Sequence, residues 1–98
     1  MKEYLLKLFV TGRTTRSERA IANLRRLCDR ELAGRYELLV VDILERPHLA
    51  EEERIMATPT LVRVMPQPVR RVVGDLSDET QVRAGLDIPG GGRPSEDE

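Results

Sequence analysis

Cysteine, histidine and aromatic residues are scarce in this chain of 98 residues. Its single cysteine, Cys28, excludes an intrachain disulfide, a CxxC redox pair and a cysteine-rich zinc site. Its single histidine, His48, leaves little for a histidine-based metal cluster. Tryptophan is absent, and Tyr4, Phe9 and Tyr36 make up the 3% of aromatic residues. A single-strand nucleic-acid platform needs exposed rings for base stacking, so that class is disfavoured. Neither sign of charge dominates: 16 basic and 17 acidic residues give a net charge of −1. A global basic field for DNA is therefore missing. No apolar run approaches the ~20 residues of a membrane span. The start, Met-Lys-Glu-Tyr, lacks the apolar core of a signal peptide. A soluble, cytoplasmic protein with no membrane or nucleic-acid partner is expected.

What is present is 40% hydrophobic and 34% charged residues, enough for one small core in a solvated shell. Tyr4 to Val10 (YLLKLFV) is apolar except for Lys7 and predicts a central strand buried on both faces. A helix follows over about Ser17 to Leu32. Ala20, Ile21, Leu24, Leu27, Cys28 and Leu32 share one face of it, and Arg16, Arg19, Arg26 and Arg30 share an adjoining stripe. Gly34 lies just past its end, where a helix is expected to stop. Tyr36 to Leu44 predicts a second strand, completing a right-handed βαβ unit with parallel strands.

The second half is harder to read. His48 to Met56 predicts a short helix with Leu49, Ile55 and Met56 inward and Glu51, Glu52 and Glu53 outward. Leu61 to Met65 and Val69 to Val73 read as strands around Pro66-Gln67-Pro68. Residues 60–73 hold two prolines and three arginines in apolar surroundings, so helix and strand readings compete there. Ser77 is the expected N-cap of a last helix carrying Val82 and Leu86. Residues 1–88 then form a single domain, and residues 89–98 a flexible acidic tail. The order βαβ, short α, ββ, α is that of the thioredoxin core.

The chemistry of a redox thioredoxin is missing. The loop after the first strand reads Gly12-Arg13-Thr14-Thr15-Arg16-Ser17, without a thiol. Cys28 falls on the apolar face of the first helix, where thiols are usually inert core atoms. Adjacent glutamates at 51–53 do not converge on a helix. Gly90-Gly91-Gly92 lacks the lysine and hydroxyl residue of a phosphate loop. No catalytic residue, cofactor or metal is expected. Two other classes stay open: a thioredoxin-like enzyme remnant using Cys28, and a nucleic-acid adaptor using the arginine stripe. Thr58-Pro59 precedes a strand at the place where thioredoxin-like folds carry a cis bond.

Several blocks carry a more specific resemblance. They are Leu5-Leu6-Lys7-Leu8-Phe9-Val10-Thr11-Gly12, Ile55-Met56-Ala57-Thr58-Pro59-Thr60-Leu61, Pro68-Val69-Arg70-Arg71-Val72-Val73-Gly74-Asp75-Leu76-Ser77 and Gly85-Leu86-Asp87. In this order the chain resembles the KaiB family across roughly residues 4 to 88. The resemblance implies a non-enzymatic regulator that binds the N-terminal ATPase ring of a KaiC-type hexamer, in a clock or a simpler timer. It also implies a metamorphic chain. A thioredoxin-like βαβαββα monomer exchanges with a ground-state βαββααβ fold, usually tetrameric, so self-association to a dimer or tetramer is open. Lys7, Arg19, Arg70 and Arg71 match family positions and are the expected partner-facing residues. Pro59, Pro66, Pro68, Gly85 and Asp87 are the expected fold-switch residues. Glu37 and Leu39 stand where clock-type members carry a small residue and a lysine for KaiA, which makes KaiA a doubtful partner.

Overall fold

The computed structural model describes residues 2–88; the expected acidic tail lies outside them. The elements are β1 (Tyr4–Val10), α1 (Thr15–Glu31), β2 (Tyr36–Asp42), α2 (Pro47–Glu52), β3 (Thr60–Met65), β4 (Arg70–Val73) and α3 (Glu79–Leu86). They form a four-stranded sheet in the order β2-β1-β3-β4. This is the thioredoxin-like βαβαββα arrangement, the first of the two folds expected from sequence.

β1 is central because both its faces are apolar. Leu6 and Leu8 are fully buried on one face and Phe9 on the other. β1 runs parallel to β2, with Leu6 opposite Leu38 and Leu8 opposite Val40. It runs antiparallel to β3, with Lys7 opposite Val62 and Leu8 opposite Leu61. β4 closes the sheet, antiparallel to β3, with Val62 opposite Arg71 and Leu61 opposite Val72.

α1 begins where Thr14 accepts a hydrogen bond from the Ser17 N–H at 3.0 Å, satisfying one free donor of the first turn. Its face of Ala20, Leu24, Leu27 and Cys28 is buried against Leu6, Leu8 and Leu61, joined by Val82 and Leu86 of α3. The opposite face of the sheet carries a smaller core of Phe9, Val41 and Val62, covered by Leu49 and Ile55. The α1 side therefore holds most of the apolar burial, worth roughly 1.5–3 kcal/mol for each fully buried large side chain.

Four expectations need correction. The N-cap of α3 is Asp78, not Ser77: the Asp78 carboxylate accepts from the Gln81 N–H at 3.2 Å, while the Ser77 N–H is engaged by Asp75. β2 stops at Asp42 rather than Leu44, because the Asp42 carboxylate turns back to the Leu44 N–H at 2.9 Å. α2 ends at Glu52, and Arg54 follows in the left-handed region at φ 56°. That turn leaves Met56 exposed rather than inward, at 93%. The Thr58-Pro59 bond is cis, as are Met65-Pro66 and Gln67-Pro68.

Candidate interaction surface

The four basic residues singled out from sequence do not form one patch. Lys7 and Arg71 share the α2 side of the sheet, separated by Val62 in one cross-strand row. Arg70 alternates onto the opposite face, with Val72. Arg19 stands exposed on α1, with Asp75 near enough to sense its charge.

Lys7 and Arg71 are gathered by one carboxylate. Glu53, the C-cap of α2, approaches Lys7 Nζ at 3.6 Å through one oxygen and Arg71 at 3.8 Å through the other. Arg71 also donates to the main-chain carbonyls of Glu53 and Arg54, the latter at 3.3 Å. The end of α2 offers free carbonyl oxygens and the negative pole of its dipole, which favours a guanidinium there. The sequence placed Glu53 with its neighbours on a solvated face; Glu51 and Glu52 are exposed, whereas Glu53 is half-buried. The missed signal is long-range: Lys7 and Arg71 lie on strands far from α2 in sequence. Exposed ion pairs contribute only about 0–1 kcal/mol.

A second node was missed. Arg63, in the middle of β3, is only 3% exposed. Its guanidinium donates to the Leu86 carbonyl at the end of α3 and to the Pro68 carbonyl at 2.7 Å. Leu86 lies between Gly85 and Asp87, and Pro68 is itself the second acceptor, so three of the five expected fold-switch residues are at or beside the two acceptors of Arg63, with Pro66 two residues from Pro68. Pro59 stands apart, buried beside Thr58, whose hydroxyl shares a 2.6 Å hydrogen bond with that of Thr11. Gly85 is required by close approach: a Cβ there would meet Val72 Cγ2 at 2.5 Å. Asp87 ends α3 in the left-handed region at φ 58°. A lone charged residue inside the apolar run TLVRVM was the visible hint of Arg63's role.

The arginine stripe of α1 is partly committed to internal contacts. Arg30 pairs with Glu79 of α3 at 2.5 Å and with Glu31 at 3.2 Å, and Arg83 of α3 pairs with Glu31 at 2.7 Å. These bonds hold the Glu79 carboxyl below its ordinary range, chiefly through the Arg30 hydrogen bond. The Asp75 carboxyl is also lowered, first by hydrogen bonds from Ser77 and then by the charges of Arg16 and Arg19.

Cys28 is fully buried, and burial together with the nearby Asp29 charge pushes its thiol up to about 12. It is protonated at neutral pH and shielded from reagents, the opposite of a catalytic thiol. A cleft of about 350 Å³ opens at the C-terminal ends of β1 and β2, beside Arg13, Glu18, Asp42 and Glu45. Asp42 is occupied there by the N–H groups of Gly12 and Leu44. Among the described residues, no helix is long and apolar enough to cross a membrane, and no three potential metal ligands converge.

A thioredoxin-like domain whose only thiol is sealed in its core defines a class apart from redox thioredoxins. The solved N-terminal domain of Synechococcus elongatus SasA is similar at a TM-score of 0.73 and 27% identity, covering 93% of this chain and 90% of that one. Oxidised mitochondrial thioredoxin 3 of Saccharomyces cerevisiae, at TM-score 0.70 and 18% identity over 89% of this chain and 79% of that one, shares the fold alone. The KaiB domain matches residues 7–88. The circadian clock oscillator protein KaiB of Prochlorococcus marinus is 52% identical over 89% of this chain and 83% of its own length. That of a Synechococcus strain is 52% identical over 89% and 79%. The chain belongs to the KaiB family.

Proposed function

We propose that this chain is a non-enzymatic clock or timer regulator that binds the N-terminal ATPase ring of a KaiC-type hexamer in its thioredoxin-like form. The observation that carries this reading is the 52% identity to clock oscillator proteins over 89% of the chain. Lys7 and Arg71, held together by Glu53, present two cations that an acidic partner surface can claim; Arg70 and Arg19 supply the opposite side. KaiA is not included, because β2 carries Glu37 and an exposed Leu39. The second packing of the chain, the ground-state tetramer, would require the segment from Pro59 to Asp87 to be rebuilt. The contacts of Arg63, Gly85 and Asp87 are those it would have to break. Two packings within a few kcal/mol interconvert, and ring binding then draws on the monomer.

The test is titration of the full chain onto a purified KaiC-type hexamer in its ADP-bound and ATP-bound states. Nucleotide-dependent binding is expected, weakened by about tenfold or more in Arg71→Glu. A folded chain that binds in neither state overturns the proposal. Unchanged affinity in Arg71→Glu removes that residue from the interface.

A further inference from the structure

The arginines of β3 and β4 differ in what answers their charge. Arg71, on one face of the sheet, has the carboxylate of Glu53. On the other face, Arg63 and Arg70 stand directly opposite each other in the β3–β4 register. Among the described residues, neither takes part in an ion pair. Arg63 is buried, its two terminal nitrogens bond neutral carbonyls, and its Nε has no partner. Neutral dipoles leave the unit charge of the guanidinium in place. Like charges directly opposite across a strand pair repel, and salt screens a buried charge less than an exposed one. This row therefore favours a carboxylate, and the exposed side chain of Arg70 is where one can arrive.

The described chain ends beside the same row. Gly85 of α3 lies against Val72, two residues along β4 from Arg70. Leu86 gives its carbonyl to Arg63. Ile88 is buried, and its N–H donates to the Arg83 carbonyl at 3.0 Å, which fixes the point from which residues 89–98 depart. Those residues read Pro89-Gly90-Gly91-Gly92-Arg93-Pro94-Ser95-Glu96-Asp97-Glu98. Three consecutive carboxylates thus begin eight residues past Ile88. Eight residues span at most about 26–29 Å. The three glycines permit a reversal, because glycine takes φ of either sign. A tether this short holds the carboxylates at millimolar effective concentration near the end of α3. The arginines of α1 are weaker competitors. Arg16 and Arg19 already lie close enough to Asp75 to lower its carboxyl, and Arg30 is paired with Glu79 and Glu31.

We infer that the acidic segment Glu96-Asp97-Glu98 folds back on its own domain and docks on Arg70, beside the buried charge of Arg63. The contact is intramolecular and independent of the ring-binding reading. Any acidic partner that uses Arg70 then has to displace this segment.

A spin label on Ser95→Cys in the full chain locates the segment, since the buried Cys28 is shielded from the reagent. At low ionic strength, paramagnetic broadening is expected at the amides of Val69, Arg70, Leu86 and Asp87. Arg70→Glu is expected to reduce it about threefold or more, as is neutralising the segment with Glu96→Gln, Asp97→Asn and Glu98→Gln together. Arg70→Lys keeps the charge and is expected to retain most of it. Salt at about 0.5 M is expected to release the segment. Spin-labelled chain mixed with isotope-labelled chain that carries no spin label is expected to show no broadening, because the contact lies within one chain. Three results overturn the inference. They are broadening centred on Arg16, Arg19 and Arg26, broadening that Arg70→Glu and the neutralised segment leave unchanged, and equal broadening in the mixed sample, which would place the segment on a second copy.

Discussion

The βαβ half, from Tyr4 to Asp42, and the half from Pro47 to Ile88 are held by different physics. The first rests on repeated apolar contact. Leu6, Leu8, Leu24 and Leu27 are buried together, with no charged group among them. The second reaches the same core through Val72, Val82 and Leu86 but is positioned by a few single polar and steric contacts. Arg63 bonds two main-chain carbonyls, Gly85 lies against Val72, and Arg71 grips the end of α2. Dispersed packing tolerates small errors. Point contacts fail one at a time, so local opening is expected to concentrate in the second half.

The largest effect tests the dispersed half. Leu24→Ala removes a fully buried side chain at the centre of the core. A loss of about 2–5 kcal/mol is expected by chemical denaturation, felt by the entire domain. A loss confined to the second half would break the comparison. Next is Arg63→Met, which strands the Leu86 and Pro68 carbonyls without a donor. About 1–3 kcal/mol is expected. The sharper signature is faster amide exchange in α3, with β1 and β2 unchanged. Gly85→Ala forces a methyl group onto Val72 and is expected to cost about 1–3 kcal/mol, again with loosening of α3 over β4. Parallel losses in β2 protection for these two variants would show one cooperative unit rather than two.

The smallest effect comes from acid. The Glu79 carboxyl is lowered from its ordinary 4.5 by Arg30, so its charge is favoured in the folded chain. Its contribution is complete above pH 4.5 and fades as pH falls through the lowered value. The sign is the same for Asp75. Acid is therefore expected to detach α3 from α1 before it disturbs β1 and β2. Residue-resolved amide exchange across that range checks it; uniform loosening would weaken the distinction.

The sequence was most legible where periodicity was uninterrupted. β1 was correct to the residue, since seven mostly apolar residues fit one place only, the centre of the sheet. The buried face of α1 was also plain, because Ala20, Leu24, Leu27 and Cys28 repeat at helical spacing. Legibility fell where one polar side chain redirected the chain. Asp42 cut β2 short, Asp78 displaced Ser77 as a cap, and Arg54 in the left-handed region turned Met56 to solvent. Each of these outcomes depends on a competition between neighbouring donors and acceptors that composition does not rank.

The candidate site divides in the same way. Lys7, Arg19, Arg70 and Arg71 were singled out as candidates from sequence, but how the fold groups them was not legible there. By itself the sequence determined the βαβ unit, the absence of a redox pair, the burial of Cys28 and the family blocks, because local periodicity and residue chemistry carry that information. Only the tertiary structure decided that Glu53 gathers Lys7 with Arg71 and that Arg63 is buried between α3 and the Pro66–Pro68 turn. Those facts are set by strand order and register, which join residues distant in sequence through hydrogen bonds that no local pattern records.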